Sequence, residues 1–141
     1  EGSILEIGCY YGRSTVLLAA LGRSVYSVDP FDNFDSGDMS GEQIREAFCK
    51  NLSDRNIKNV RLYEMKVEDW TPKLVGFAYL DGDHTYTGTI NQINKAVEAG
   101  ATEFCLHDYV DSGGGAMIVA AAVRKKLKVI QVVERMAHCR L

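Results

Sequence analysis

The sequence predicts a doubly wound α/β fold, in which a mostly parallel sheet carries helices on both faces. Short apolar runs rich in branched residues alternate along the chain with segments of helical periodicity, which is typical of successive β-α-β units. The 141 residues are 46% hydrophobic and 25% charged, a composition that suits one globular domain over residues 1–141. The chain opens at Glu1 and not at a methionine, so an additional N-terminal segment is an open expectation.

Six strands are predicted from short apolar runs bounded by polar or turn-forming residues. They cover residues 4–8, 25–29, 60–65, 77–81, 104–107 and 129–133. With right-handed crossovers between such strands, ligands bind beyond the carboxyl ends, where the winding of the sheet reverses. We therefore expect the chemistry in the segments that follow the strands.

Helices are predicted between the strands from capping signals and apolar periodicity. Ser40 and Gln43 have the spacing of a capping box, which marks the start of the second helix. Residues 90–97 repeat apolar side chains at helical spacing before Gly100, a common C-terminal signal. Residues 116–123 are apolar on nearly all sides, so this helix is expected to be buried or covered by a partner such as a second copy of the chain.

Charge and cysteine content exclude several classes of function. A net charge of -3 provides no broad positive field for a phosphate backbone, so nucleic acid is not an expected partner. No apolar run approaches the roughly 20 residues of a membrane-spanning helix, so no membrane association is expected. The four cysteines are scattered without a C-x-x-C spacing, which fits reduced thiols in the cytoplasm.

An aromatic loop flanked by glycines follows the first predicted strand. Gly8 and Gly12 allow a tight turn and a close approach of backbone to ligand. Cys9, Tyr10 and Tyr11 fill the space in which a dinucleotide site needs small residues against a pyrophosphate. A tyrosine ring attracts a sulfonium cation, so the loop favours S-adenosylmethionine over NAD. A plain tight connection between strand and helix is the alternative.

A carboxylate ends the second predicted strand. Asp29 stands where an acidic residue accepts hydrogen bonds from both hydroxyls of a ribose. It could also simply begin the turn at Asp29-Pro30. Together with the aromatic loop, Asp29 favours an adenosine-type cofactor.

Acidic and histidine side chains follow two further strands. Asp81, Asp83 and His84 come after the fourth predicted strand, and His107 and Asp108 end the fifth. Such groups are costly to desolvate together unless they are paired, protonated or bound to metal. A histidine can take the proton of an acceptor hydroxyl, whereas a divalent metal can lower the pKa of that hydroxyl. The alternatives are a helix N-terminal carboxylate for Asp83 and a surface turn for His84.

This cluster supports two hypotheses, a histidine that acts as base or a bound divalent metal, and the sequence does not decide between them. The candidate catalytic residues are His84, His107 and Asp81. The candidate ligands of Mg²⁺ or Mn²⁺ are Asp81, His107 and Asp108. Residues 31–40 and 111–115, rich in Asp and Gly, are predicted either as flaps over this site or as plain loops.

The first motif of the catechol and caffeoyl-CoA type of O-methyltransferases resembles residues 5–16, LEIGCYYGRSTV. This resemblance implies S-adenosylmethionine as the cofactor, with its methionine part held at the loop after the first strand and its ribose held by Asp29. The residues that it places at the cofactor are Glu6, Gly8, Tyr10, Gly12, Ser14, Asp29 and Asp81.

A second stretch is similar to the D-x-D-K motif of the metal-dependent members of that group. Asp81 matches the aspartate that binds metal, and His84 matches the lysine that can act as base. Those relatives carry Asp-Asn or Asp-Asp after the fifth strand, where this chain carries His107-Asp108. The D-G-D-H and H-D-Y runs also resemble a broad group of small methyltransferases.

The function predicted from the sequence is methyl transfer from S-adenosylmethionine to a hydroxyl of a small-molecule acceptor. Aminopropyl transfer from a related adenosyl cofactor is one alternative. A cofactor-binding module without catalysis, whose apolar helix belongs to an interface, is the other.

Overall fold

A computed structural model describes residues 2–32, 39–109 and 116–141. The strands in these residues are β1 (Ser3–Ile7), β2 (Val25–Val28), β3 (Val60–Tyr63), β4 (Val75–Leu80), β5 (Glu103–Leu106), β6 (Lys128–Val133) and β7 (Met136–Arg140). The helices are α1 (Arg13–Ala19), α2 (Gly41–Ser53), α3 (Tyr86–Glu98) and α4 (Ala116–Lys126). Within the described ranges, no helix is long and apolar enough to cross a bilayer.

All strands belong to one sheet in the order β3-β2-β1-β4-β5-β7-β6. The strands β1 to β5 are parallel to one another, and β7 runs antiparallel to both β5 and β6. The winding reverses at β1, which pairs with β2 on one side and β4 on the other. The predicted doubly wound, mostly parallel sheet is confirmed, and the carboxyl ends of β1, β2, β4 and β5 lie along one edge.

The prediction of six strands is wrong by one, because β7 was not expected. A turn at Glu134 and Arg135 joins it to β6, and Glu134 takes a φ of 54°. Glycine and asparagine adopt this left-handed region more readily, so the usual sequence signal of a hairpin is missing. Burial of Ala137 and Cys139 beside β5 stabilises the strand instead.

The start of α2 follows the predicted capping box. The Ser40 hydroxyl accepts a hydrogen bond from the Gln43 backbone N–H, and the Gln43 side chain accepts one from the Ser40 backbone. Thr85 caps α3 by accepting from the backbone N–H of Gly88. In α4 the predicted burial is found at four of the six residues 118–123, whereas Ile118 is 43% exposed and Ala121 is also exposed. Its buried residues are Val119, Ala120, Ala122 and Val123.

Apolar side chains cover both faces of the sheet. One cluster joins alternate residues of β1, β4 and β5 to α3 and α4, and two smaller clusters involve residues of α1 and α2. Trp70 is 1% exposed and packs edge-on against Tyr63 with ring centroids 6.0 Å apart, so it belongs to the core. The helices thereby support the strand ends from both sides.

Candidate active site

The loop after β1 is shaped by three residues in the left-handed region. Gly8, Tyr10 and Gly12 have φ values of 82°, 46° and 77°. A Cβ at Gly8 would lie 2.3 Å from the backbone oxygen of Asp81, and one at Gly12 would lie 2.8 Å from the Phe48 ring. Glycine is therefore required at both ends of the loop, because the chain after β4 packs against Gly8 and the Phe48 ring of α2 packs against Gly12.

Asp29 lies at the end of β2 and binds the backbone of this loop. Its Oδ2 accepts hydrogen bonds from the backbone N–H groups of Cys9 and Tyr10 at 2.8 and 2.9 Å, and Oδ1 accepts from Phe31 at 2.9 Å. The side chain is buried. The predicted ribose carboxylate is thus beside the predicted cofactor loop, and in this conformation backbone amides occupy its oxygens.

Glu6 is fully buried in β1. Three hydroxyls donate to its carboxylate, from Ser14 at 2.6 Å and from Thr15 and Ser27 at 2.7 Å. Burial raises the pKa of Glu6, and these hydrogen bonds oppose that increase. Glu6 therefore reaches the predicted cofactor site through Ser14, at the start of α1, and its own oxygens face inward. The sequence reasoning missed Thr15 and Ser27, which no motif marks.

The segments after β4 and β5 continue the backbone ladder beyond the strands. The N–H of Asp81 donates to the Ile7 carbonyl at 2.8 Å, and that of His107 donates to the Leu80 carbonyl at 3.0 Å. Asp108 takes a φ of 55°, a conformation that aspartate tolerates better than most residues. The ladder and this kink bring the predicted acidic and histidine side chains together.

Three of these side chains converge on one point. His107 Nδ1 lies 3.3 Å from Asp81 Oδ1 and 3.3 Å from Asp108 Oδ1, and ligand atoms of all three residues lie within 4.8 Å of one another. His107 Nδ1 is buried and makes no hydrogen bond. Metal–ligand distances of roughly 2.0–2.4 Å put neighbouring donors roughly 3 Å apart. The donor set and its spacing therefore fit a divalent cation such as Mn²⁺ or Mg²⁺.

His84 lies at the rim of the cluster and is about half exposed. Its Nε2 is 3.3 Å from Asp81 Oδ1 and 3.6 Å from Asp108 Oδ2. The hydrogen bond with Asp81 raises the pKa of His84. Asp83 behaves differently, because its Oδ1 accepts from the Thr85 backbone at 2.7 Å. That contact is the one expected of a carboxylate at a helix N-terminus.

Two residues that sequence reasoning missed also contact the cluster. Arg135, in the turn after β6, places Nη2 2.6 Å from Asp108 Oδ1. Tyr79 precedes Asp81 on the same face of β4, and burial raises the pKa of its hydroxyl. Nothing in the sequence pattern marks Arg135, because only the unexpected pairing of β7 brings it to this edge.

A groove of about 480 Å³ lies beside the loop after β1, not over the cluster of Asp81, His107 and Asp108. It runs between α1 and α2, and its lining includes Tyr11, Arg13, Asn51 and Arg55. The predicted flaps lie partly or wholly outside the described residues, since 33–38 and 110–115 are not described.

Comparisons with known proteins place the chain in a family. The methyltransferase-domain family matches residues 5–104. A search among curated proteins gives no significant match. The solved TDP-rhamnose 3'-O-methyltransferase of calicheamicin biosynthesis is similar, with 18% identity, a TM-score of 0.65, and coverage of 99% of this chain and 72% of that chain.

Two other solved structures share the fold. Magnesium protoporphyrin IX methyltransferase from Synechocystis PCC 6803, solved with bound S-adenosylmethionine, has 11% identity and a TM-score of 0.66, covering 99% of this chain and 69% of that chain. An rRNA methylase from Streptococcus thermophilus has 17% identity and a TM-score of 0.62, covering 99% and 86%.

These neighbours act on a sugar, a porphyrin and an RNA, so the shared fold leaves the acceptor open. The family match covers most of the chain, from Leu5 in β1 to Phe104 in β5. The chain therefore belongs to the methyltransferase-domain family and is a methyltransferase.

Proposed function

We propose that this methyltransferase modifies a hydroxyl oxygen of a small molecule, and that Asp81, His107 and Asp108 hold a divalent cation beside the reacting atom. The observation that carries the proposal is the buried His107 Nδ1, which forms no hydrogen bond although carboxylate oxygens of both aspartates lie 3.3 Å away. A buried polar atom without a partner is costly. A cation at that point would satisfy all three donors.

The cofactor is assigned to the loop between β1 and α1. Gly8 and Gly12 let the backbone approach the methionine part, while Tyr10 and Ser14 supply a ring and a hydroxyl there. For Asp29 to accept the ribose hydroxyls, it must exchange at least one of its backbone amide partners. Bound S-adenosylmethionine in the Synechocystis enzyme supports this cofactor.

Methyl transfer is a displacement at the methyl carbon. The carbon–sulfur bond breaks and sulfur keeps its electron pair, so the sulfonium becomes a neutral thioether. The acceptor oxygen supplies the pair for the new carbon–oxygen bond and loses its proton. When bound, a divalent cation lowers the pKa of that hydroxyl and orients it. His84 Nε2, beside Asp81 and Asp108, is placed to receive the proton.

The test is transfer of a labelled methyl group from S-adenosylmethionine to a panel of hydroxylated small molecules in the presence of Mn²⁺. We expect Asp81→Asn to lower turnover about a hundredfold or more, as loss of a metal ligand does. Asp83→Asn is the matched control, because this carboxylate caps the turn before α3. Equal losses in the two variants would contradict the assignment of ligands.

The same assay separates the alternative functions. A product heavier than the acceptor by an aminopropyl group would establish the related adenosyl enzyme. Tight cofactor binding without any product would favour the non-catalytic module. A cytoplasmic location remains our proposal, supported by four cysteines that are all free thiols.

A further inference from the structure

The turn between β6 and β7 is attached to the acidic cluster through both backbone and side chain. The backbone N–H of Tyr109 donates to the carbonyl of Arg135 at 3.0 Å, directly after Asp108 in the chain. The Arg135 guanidinium then lies 2.6 Å from Asp108 Oδ1. Arg135 is therefore held beside Asp108 at two points, by its backbone carbonyl and by its side chain.

Most of the guanidinium remains available for a ligand. Arg135 is 61% exposed, and arginine has five N–H donors. Within residues 2–32, 39–109 and 116–141, the side chain has no ion pair other than that with Asp108. An exposed ion pair of this kind contributes little to stability, so a purely structural role gives little reason for its placement at the cluster.

The proposed ligands and Arg135 together carry a net positive charge once the proposed cation binds. Asp81 and Asp108 together carry two negative charges, which a divalent cation neutralises. The charge of Arg135 then has no counter-ion left in the cluster. A methyl acceptor with an acidic group would restore the balance, and guanidinium groups bind carboxylates and phosphates through paired hydrogen bonds.

We propose that Arg135 binds an oxyanion on the methyl acceptor, so that the substrates are hydroxylated small molecules that also carry an acidic group. This inference rests on the proposed function, because it places the acceptor hydroxyl at the Asp81–His107–Asp108 cluster. Arg135 determines specificity through the acidic group and takes no part in proton removal.

The inference is tested with two probes that differ only in charge, 3,4-dihydroxybenzoate and 3,4-dihydroxybenzamide. Binding is measured by calorimetry in the presence of S-adenosylhomocysteine and Mn²⁺. We expect the acid to bind at least about tenfold more tightly, as a charge-assisted hydrogen bond provides. Arg135→Gln should remove this preference and leave affinity for the amide within about twofold.

Arg140→Gln is the matched control, because Arg140 has a similar exposure of 58% and a similar contact of 2.6 Å with Glu103. This variant should keep the preference for the acid. Equal binding of the two probes by the wild type, including undetectable binding of both, would overturn the inference. Retention of the preference for the acid in Arg135→Gln, or its loss in Arg140→Gln, would also overturn the inference.

Two further arms separate this inference from the proposed function. Mn²⁺ binding measured by electron paramagnetic resonance should be at least as tight in Arg135→Gln as in the wild type, because a nearby positive charge is removed. Failure of the wild type to bind Mn²⁺ would refute the proposed metal site and, with it, the charge balance from which this inference is argued. Mn²⁺ binding by a wild type that has equal affinity for the acid and the amide would overturn this inference alone. If the wild type prefers the acid, competition by inorganic phosphate would extend the site to phosphorylated acceptors, and absence of competition would restrict it to carboxylates.

Discussion

The two halves of the active-site edge hold their carboxylates in different ways. In the cofactor half, formed by the ends of β1 and β2, Glu6 and Asp29 are 0% and 3% exposed, and hydroxyls and backbone amides are their hydrogen-bond donors. In the acceptor half, after β4 and β5, the Asp81 and Asp108 side chains are 27% and 20% exposed and face histidine and arginine.

The difference indicates that the carboxylates of the cofactor half stabilise the fold, whereas those of the acceptor half can exchange their present partners for a ligand. Buried carboxylates bound by neutral donors stabilise the loop and the start of α1 before any ligand arrives. Partly exposed carboxylates beside cationic side chains can exchange these partners for a metal ion or a substrate at a small cost in free energy. Substitutions in the cofactor half should therefore affect stability, and those in the acceptor half should affect ligands.

The largest effect is expected where the two halves touch. Gly8→Ala should destabilise the protein by about 3 kcal/mol or more, because a Cβ would lie 2.3 Å from the Asp81 backbone oxygen and the φ of 82° disfavours alanine. Urea unfolding measures the change. Gly22→Ala is the matched control, since Gly22 has a φ of 73° with no atom within 4 Å of the added Cβ. A loss of only about 1 kcal/mol is expected there, and equal losses would show that the contact is unimportant.

Removal of the buried carboxylate should have the next largest effect. Glu6→Ala leaves three hydroxyls without an acceptor and should cost about 2–4 kcal/mol of stability. Glu6→Gln keeps the shape and most of the hydrogen bonds, so its loss should be much smaller.

The Glu6→Gln variant also tests the pKa of this group. Burial raises the folded pKa of Glu6 above its ordinary value of 4.5. Protonated Glu6 therefore makes its full contribution to the free energy of unfolding below pH 4.5, and this contribution is lost as pH rises through the folded pKa. Glutamine cannot ionise. Urea titrations from about pH 5 to about pH 9 should show the variant gaining stability relative to the wild type. A relative loss toward high pH would contradict the raised pKa.

In the acceptor half, Asp108→Asn should separate stability from ligand binding. Asparagine tolerates the φ of 55° as well as aspartate does, so the free energy of unfolding should change by less than about 1 kcal/mol. Mn²⁺ affinity should fall at least about tenfold through loss of a charged ligand. An unchanged affinity would remove Asp108 from the metal site.

The smallest effects are expected at the helix caps. Ser40→Ala and Thr85→Ala should each cost about 1 kcal/mol, because each removes an N-cap hydrogen bond. Thr85 caps α3 at the end of the segment that begins with the proposed ligand Asp81, so Thr85→Ala should also weaken Mn²⁺ binding, whereas Ser40→Ala should not. Equal Mn²⁺ affinities would show that the segment before α3 is held without its cap.

The sequence predicted what depends on local patterns. Alternating apolar runs predicted six strands, the Ser40 capping box was confirmed, and strand-end positions correctly brought Asp81, His107 and Asp108 together. It could not predict β7, because Glu134 occupies a turn position that glycine or asparagine usually takes. Arg135 was missed for the same reason, since its place at the cluster depends on that antiparallel pairing.

The separation of the two halves is tested most directly by titrating S-adenosylmethionine into the wild-type protein before and after exhaustive chelation. The cofactor should bind at micromolar concentration in both samples, with dissociation constants within about twofold, whereas turnover of a confirmed acceptor should return only when Mn²⁺ or Mg²⁺ is added back. Loss of cofactor binding on chelation, or full turnover without metal, would contradict the assignment of cofactor and metal to separate halves of the edge.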